Sequence, residues 1–280
     1  QFIDNLSSHN GGAIDNSESL VFGNATQVIG NYSINGLGGA LDNSGTVDQR
    51  SRIQFAHRTQ FIGNHAKYGG AIFNDAQIIF DSGTHFIANY ADEKGGAIYN
   101  QLGSITFNTG DKTDDATIFT GNLAGGQPNA LYMEGGTLSI QGNGLLDMRD
   151  PFVSDANYTS SIEKIGSGVW KLAGNNSVSN LNINGGTLYL YAQDEVGNGN
   201  KDNPNAKVSV GHINNLSSMN LGSSTTGTAT LIAGGGNTLS GDTLTIHSGS
   251  TLGFKLSDAH VISSTADPTS QTAALNLSFN

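Results

Sequence analysis

Cysteine is absent from all 280 residues, which removes disulfides, thiolate nucleophiles and cysteine-ligated zinc from the chemistry open to this chain. Charge is scarce as well. Only 12% of residues are charged, with 12 Lys or Arg against 23 Asp or Glu, so the formal charge is -11 and no basic run is present. Such a surface repels a phosphate backbone, and nucleic acid is excluded as a partner. No apolar stretch is long enough to span a bilayer, and Gln1-Phe2-Ile3-Asp4 does not open a signal segment. The chain itself is therefore not expected to cross a membrane; it reads as soluble or as a mature piece of a longer precursor. Proline is rare at 4 residues, whereas Gly reaches 39 and Asn, Ser and Thr are abundant. That balance favours many short strands joined by tight turns over long helices. Hydrophobic residues, 36% of the chain, fall in short β-branched and aromatic runs that suffice for a continuous core and argue against disorder.

Self-similarity organises the first half. Gly11-Gly12-Ala13-Ile14-Asp15-Asn16 recurs as Gly38-Gly39-Ala40-Leu41-Asp42-Asn43, Gly69-Gly70-Ala71-Ile72-Phe73-Asn74 and Gly95-Gly96-Ala97-Ile98-Tyr99-Asn100. A second motif ends in Asn5, Asn31, Asn64, Asn89 and Asn122, each preceded at the third position by Phe2, Val28, Phe61, Phe86 or Phe119. From the first four of these Asn to the next motif Ala the step is 8, 9, 7 and 8 residues; Asn122 plus 8 reaches Ala130, so Asn129-Ala130-Leu131-Tyr132 is a worn fifth copy. A third apolar segment ends in Phe22, Phe55, Phe80 or Phe107. Three strands in roughly 25 to 33 residues predict an all-β solenoid, a right-handed parallel β-helix with about three strands per coil. Like residues then stack from coil to coil, and Gly and Asn take the corners, where positive φ is tolerated. Asn16, Asn43, Asn74, Asn100, Asn5, Asn31, Asn64, Asn89 and Asn122 are expected to form internal ladders rather than ligand sites or glycosylation acceptors. Longer corners around 45–51 and 108–117 predict surface insertions.

Residues 1–140 form the region of these motifs. Over 141–280 the rhythm of strand and turn continues with Gly-Thr-Leu segments such as Gly185-Gly186-Thr187-Leu188, and two stretches of loop composition, near 147–161 and 193–206, are expected to project. The first half resembles the polymorphic outer membrane protein repeat, marked by Gly-Gly-Ala followed by an aliphatic residue and by Phe-x-x-Asn. The segment from Lys164-Ile165-Gly166-Ser167-Gly168-Val169-Trp170 to Leu190 resembles the strand repeat associated with bacterial autotransporter passengers. The resemblance implies a β-helical passenger exported through the outer membrane to the bacterial cell surface, acting in adhesion or self-association, in a full-length protein with a C-terminal outer-membrane barrel.

Catalytic constellations are hard to assemble. Asp111, Asp114 and Asp115, like Asp147, Asp150 and Asp155, are acidic clusters without a basic partner at a recognisable spacing; a solvated loop explains them, and the first set is retained as a candidate contact. No Gly-Gly-x-Gly-x-Asp repeat or EF-hand loop is present, so no metal or other cofactor is expected. Asp81-Ser82-Gly83-Thr84 suggests a serine nucleophile but falls on a repeat corner, and the seven His residues are dispersed. Strand alternation turns the residue between the apolar residue and Asn of the Gly-Gly-Ala motif outward, which makes Phe73, Tyr99 and, in the worn copy, Tyr132 an aromatic file. That file either stacks on sugars or a protein partner or is covered by a neighbouring loop. The expected function is thus non-enzymatic: a surface adhesin binding a host or matrix glycan or protein, or the same protein on another cell. A β-helical polysaccharide lyase or glycosidase and a passive stalk are the alternatives.

Overall fold

A computed structural model describes residues 1–45, 51–110, 115–192, 208–223, 228–255 and 276–279. These residues form strands and turns, with no α-helix. Three long sheets run the length of the molecule. Sheet A has ten strands, from Phe2–Ile3 to Thr251–Lys255; sheet C has ten, from Ile14–Asn16 to Asn276–Phe279; sheet D has nine, from Ser19–Phe22 to Leu244–Ile246. The chain visits them in rotation, and each strand pairs in parallel with its counterparts one circuit away. Ten layers make nine steps of roughly 4.8 Å, a stack about 43 Å high.

The first five circuits carry a fourth strand that the sequence did not announce. Leu6–Ser7, Tyr32–Ser33, His65–Tyr68, Tyr90–Lys94 and Leu123–Ala124 form a short sheet B between sheets A and C. Its last member turns back as an antiparallel pair with Gln127–Pro128, which closes that edge.

Register follows the motifs. Phe22, Phe55, Phe80 and Phe107 pair in succession on sheet D, while Phe61, Phe86 and Phe119 pair on sheet A. Rings within a column stack, as in Phe61 and Phe86 with centroids 4.8 Å apart. The two columns meet edge to face, Phe55 and Phe61 at 5.0 Å and Phe80 and Phe86 at 5.2 Å. Such pairs contribute about 0.5–1.5 kcal/mol each beyond the area they bury. Toward the C-terminal half Leu, Ile, Met and Trp170 replace Phe in the core.

The double glycine is demanded by two different constraints. Gly69 has φ +65°, a conformation costly for residues with a Cβ. Gly70 does not, but a Cβ there would lie 2.1 Å from the Gly96 carbonyl oxygen of the next circuit. At the other corner the positive φ belongs to the residue before each Asn, namely Asp4, Gly30, Gly63, Ala88 and Gly121, and not to the Asn itself. The Asn side chain is thereby turned inward. Asn31, Asn64, Asn89 and Asn122 are buried, and each carboxamide donates to the next circuit: Asn5 to Asn31 at 2.7 Å, then Asn31 to Asn64, Asn64 to Asn89 and Asn89 to Asn122 at 2.9 Å each. At the corner between sheets C and D a second series links Asn16, Asn43, Asn74 and Asn100 at 2.7–2.9 Å.

Residues 147–161, expected to project, instead belong to the coils: Asp147 and Met148 end a sheet A strand, Phe152–Ser154 is a sheet C strand, and Ser160 opens a sheet D strand. Loop composition here marks tight corners. The stretch 193–206 lies outside the described residues.

Candidate functional site

The expected aromatic file on sheet C is covered. Phe73 is only 3% exposed and Tyr99 6%, while Tyr132 is half-buried. Alternation does turn these positions away from the core, but the ends of sheet B strands reach over Tyr99 and Tyr132: the Tyr68 ring lies 5.6 Å from that of Tyr99, and Lys94 Nζ lies 4.5 Å over the Tyr132 ring. Asp42, in the same file, is buried too, and burial pushes its carboxyl up to about 6. Of the acidic candidates, Asp115 accepts from Arg58 at 2.8 Å, whereas Asp111 and Asp114 lie outside the described residues.

Sheet B carries an aromatic file of its own. Its strands begin with the residue after each ladder Asn, and Leu6, Tyr32, His65, Tyr90 and Leu123 are in register. The next positions, Ser7, Ser33, Ala66, Ala91 and Ala124, are small and turn inward, so the larger residues face out. Tyr32 and His65 stack with centroids 4.6 Å apart, and Tyr90 meets His65 edge-on at 5.0 Å. His65 Nε2 lies 2.9 Å from Asp92 Oδ1. All three rings are half-buried and fixed on strands, which presents a rigid surface. The signal for it was the residue that follows the Asn of each Phe-x-x-Asn motif, not the one that precedes the Asn of each Gly-Gly-Ala motif.

Beside this file is a network of ionised groups. Tyr68 donates to Glu93 at 2.5 Å, and Lys67 lies 3.3 Å from the same carboxylate. Lys94 donates to Glu134 at 2.9 Å, lies 3.6 Å from Asp155, and sits 4.5 Å above the centre of the Tyr132 ring. The Tyr132 hydroxyl donates to Asp155 at 2.8 Å. Burial opposes the charge on Glu134, but hydrogen bonds from Tyr99 and Lys94 prevail and hold its carboxyl below the usual range. The Asn157 backbone N–H, with Tyr132, holds Asp155 low as well. A glycosidase pair needs one carboxyl raised to serve as general acid. Here both are held ionised by cationic or hydroxyl donors, an arrangement suited to fixing a surface and not to moving a proton.

Ser82 and His57 occupy one corner row, Oγ and Nδ1 being 2.9 Å apart. Among the described residues no carboxylate hydrogen-bonds the His57 ring, and Ser82 is buried, so the triad logic is incomplete. No group of three or more potential metal ligands occurs among the described residues, and no helix there is long and apolar enough to cross a membrane.

A solenoid of parallel sheets bearing an outward file on one short sheet defines a repeat protein of the β-helical kind. Residues 58–75 and 83–101 match the family model of the Chlamydia polymorphic membrane protein repeat, so the chain carries repeats of that type, consistent with an autotransporter passenger. Those two spans are the circuits that place His65 and Tyr90 on sheet B. The family is surface-associated, which supports surface localisation in general. No curated protein and no solved structure matches the chain.

Proposed function

We propose that this chain is a surface-displayed autotransporter passenger acting as an adhesin, with the outer face of sheet B as its contact surface for a host or matrix glycan or protein. The observation that carries this reading is the file Tyr32, His65 and Tyr90, three rings held in register on adjacent strands and open on one side. Rigid, partly exposed aromatics lose little entropy on binding and dominate contact energies. A rod that repeats such rings also gains from several weak contacts made together. The test is adhesion of cells displaying the chain with Tyr32, His65 and Tyr90 all changed to Ser. These side chains face outward, so the fold is retained, and adhesion is expected to fall at least about tenfold. Adhesion equal to the parent's would refute the assignment of this face.

Self-association is a second reading, favoured by the outer side of sheet D. There Ser104, Thr137, Ser161, Asn180 and Ser218 succeed one another in register, an uncharged hydrogen-bonding row. Clumping of displaying cells without host material would favour it. The polysaccharide-cleaving alternative predicts new reducing or unsaturated ends from purified chain and polysaccharide, and the passive stalk predicts no binding at all.

A further inference from the structure

Sheet B ends at the hairpin Leu123–Ala124 and Gln127–Pro128 in the fifth circuit, whereas sheets A and C each continue for five more strands and sheet D for four. The step leaves a cleft of about 500 Å³ between the hairpin and the segment leading into His212. Its size falls in the range of small-ligand sites.

Three polar side chains converge on it. Asn129 is 9% exposed, and its Oδ1 is buried without a hydrogen-bond partner. A buried carbonyl oxygen left unpaired costs on the order of 1–3 kcal/mol, and a small turn of the carboxamide toward the cleft would let a donor from outside recover it. Asn175 is exposed on the cleft wall, and its carboxamide has no partner among the described residues. His212 places Nδ1 2.8 Å from Thr238 Oγ1, which leaves Nε2 as the second polar atom of its ring; burial lowers its pKa, so the ring is neutral at neutral pH. Apolar surface comes from Pro128, Pro151 and Val153.

Charge decides what kind of ligand fits. The cation at the cleft, Lys94, is already matched by Glu134 and Asp155, and Glu93 adds a carboxylate at the lip. Among the described residues an anionic ligand would meet no free cation and one like charge. Neutral amide and imidazole groups beside apolar patches instead suit a molecule with hydroxyls on its edges and C–H groups on its faces.

We infer that this cleft binds a neutral oligosaccharide, whose hydroxyls bond to the Asn129, Asn175 and His212 side chains while its C–H faces lie on Pro128, Pro151 and Val153. The inference rests on the adhesive reading for its use, but its site is separate from the sheet B file.

The experiment is calorimetric titration of the full 280-residue chain at neutral pH with lactose, maltotriose and chitotriose, and with sialyllactose and trigalacturonate as anionic counterparts. At least one neutral sugar is expected to bind with a Kd of about 1 mM or tighter, and the anions about tenfold more weakly or worse. Asn175→Ala and His212→Phe should each weaken binding about tenfold, and Asn129→Leu should weaken it further. Asn175 lies on the surface, so its variant reports on the cleft even if Asn129→Leu fails to fold. No heat with any neutral sugar at about 10 mM, binding indifferent to both Asn175→Ala and His212→Phe, or a preference for the anions overturns the inference. The sheet B triple variant separates the two ideas: it should bind the sugar like the parent while losing adhesion.

Discussion

Asn64→Ala removes four hydrogen bonds from the middle of a buried ladder. Oδ1 accepts from the Asn31 backbone N–H at 3.0 Å and its carboxamide at 2.9 Å, while Nδ2 donates to the Val28 carbonyl and to Asn89 Oδ1, both at 2.9 Å. At about 1 kcal/mol net per bond, plus the cost of leaving the Asn31 N–H without an acceptor, the loss comes to about 4–6 kcal/mol. Asn5→Ala at the exposed end removes one side-chain bond, to Asn31, and should cost about 0.5–1.5 kcal/mol. In a stack whose circuits touch only their neighbours, such damage is local before it is global. Amide hydrogen exchange is therefore the assay, alongside denaturant unfolding. Protection should collapse across strands Gln27–Ile29, Gln60–Ile62 and His85–Ile87 while strands beyond Val169 keep theirs. If Asn64→Ala proves no more harmful than Asn5→Ala, the ladder is decorative and the reasoning fails.

Gly70→Ala should destabilise by more than about 3 kcal/mol, because its Cβ would meet backbone oxygen at 2.1 Å, whereas Ala88→Gly, at φ 53°, should raise Tm by relieving about 1 kcal/mol of left-handed strain. Asp42 has a folded pKa near 6, above its unfolded value of 3.8, so its neutral form favours folding below pH 4 and stability is lost as pH rises through 6. Asp42→Asn should accordingly stabilise the chain by about 2–3 kcal/mol at pH 8 and by little at pH 3.5, as read from denaturant midpoints. Lys164 is buried in the core column between Ile140 and Ile183, with the Gly166 and Gly185 carbonyls as its acceptors among the described residues, and burial pushes its pKa down to about 8. Its charge therefore opposes folding at neutral pH, stability should rise from pH 8 toward 10.5, and Lys164→Met should add about 1–3 kcal/mol at pH 7.

Where like residues stack on like, the circuits were legible in advance: the paired glycines, the motif Asn and the core Phe each mark one layer. Sheet B was not legible because its strands are as short as Leu6–Ser7 and turn inward only Ser or Ala, which leaves no hydrophobic signature. Missing it had one consequence for the site. Alternation assigned the direction of Tyr99 and Tyr132 but could not say what lay over them, and the ends of the fourth strands do. Pro151 and Asp150 carry loop composition because the corner between sheets A and C is tight there. The cleft residues Asn129, Asn175 and His212 all lie at the entry to sheet C, Asn175 and His212 as register partners, but in three circuits with no motif in common, so no repeat marked them.

The end of sheet B and the opening of the cleft fall at the last rung of the ladder, where a carboxylate replaces the carboxamide and the corner shortens. An interior rung must accept from the circuit before and donate to the circuit after, which a carboxamide does and a carboxylate cannot. The rung after Asn122 is Asp150, whose oxygens accept from the Gly121 and Asn122 backbone N–H groups at 3.0 and 2.8 Å and from Asn122 Nδ2 at 2.8 Å. Burial raises its pKa against those donors, and with nothing to donate when ionised it terminates the series. Only residues 149–151 then connect the sheet A strand Leu145–Met148 to the sheet C strand Phe152–Ser154, whereas residues 121–130 make the same passage one circuit earlier. Three residues leave no length for a fourth strand, so sheet B stops, its cover over sheet C is withdrawn beyond Tyr132, and Asn129 is left with an unpaired oxygen at the step. The regular part of the molecule thus sets where its irregular, ligand-facing part can be.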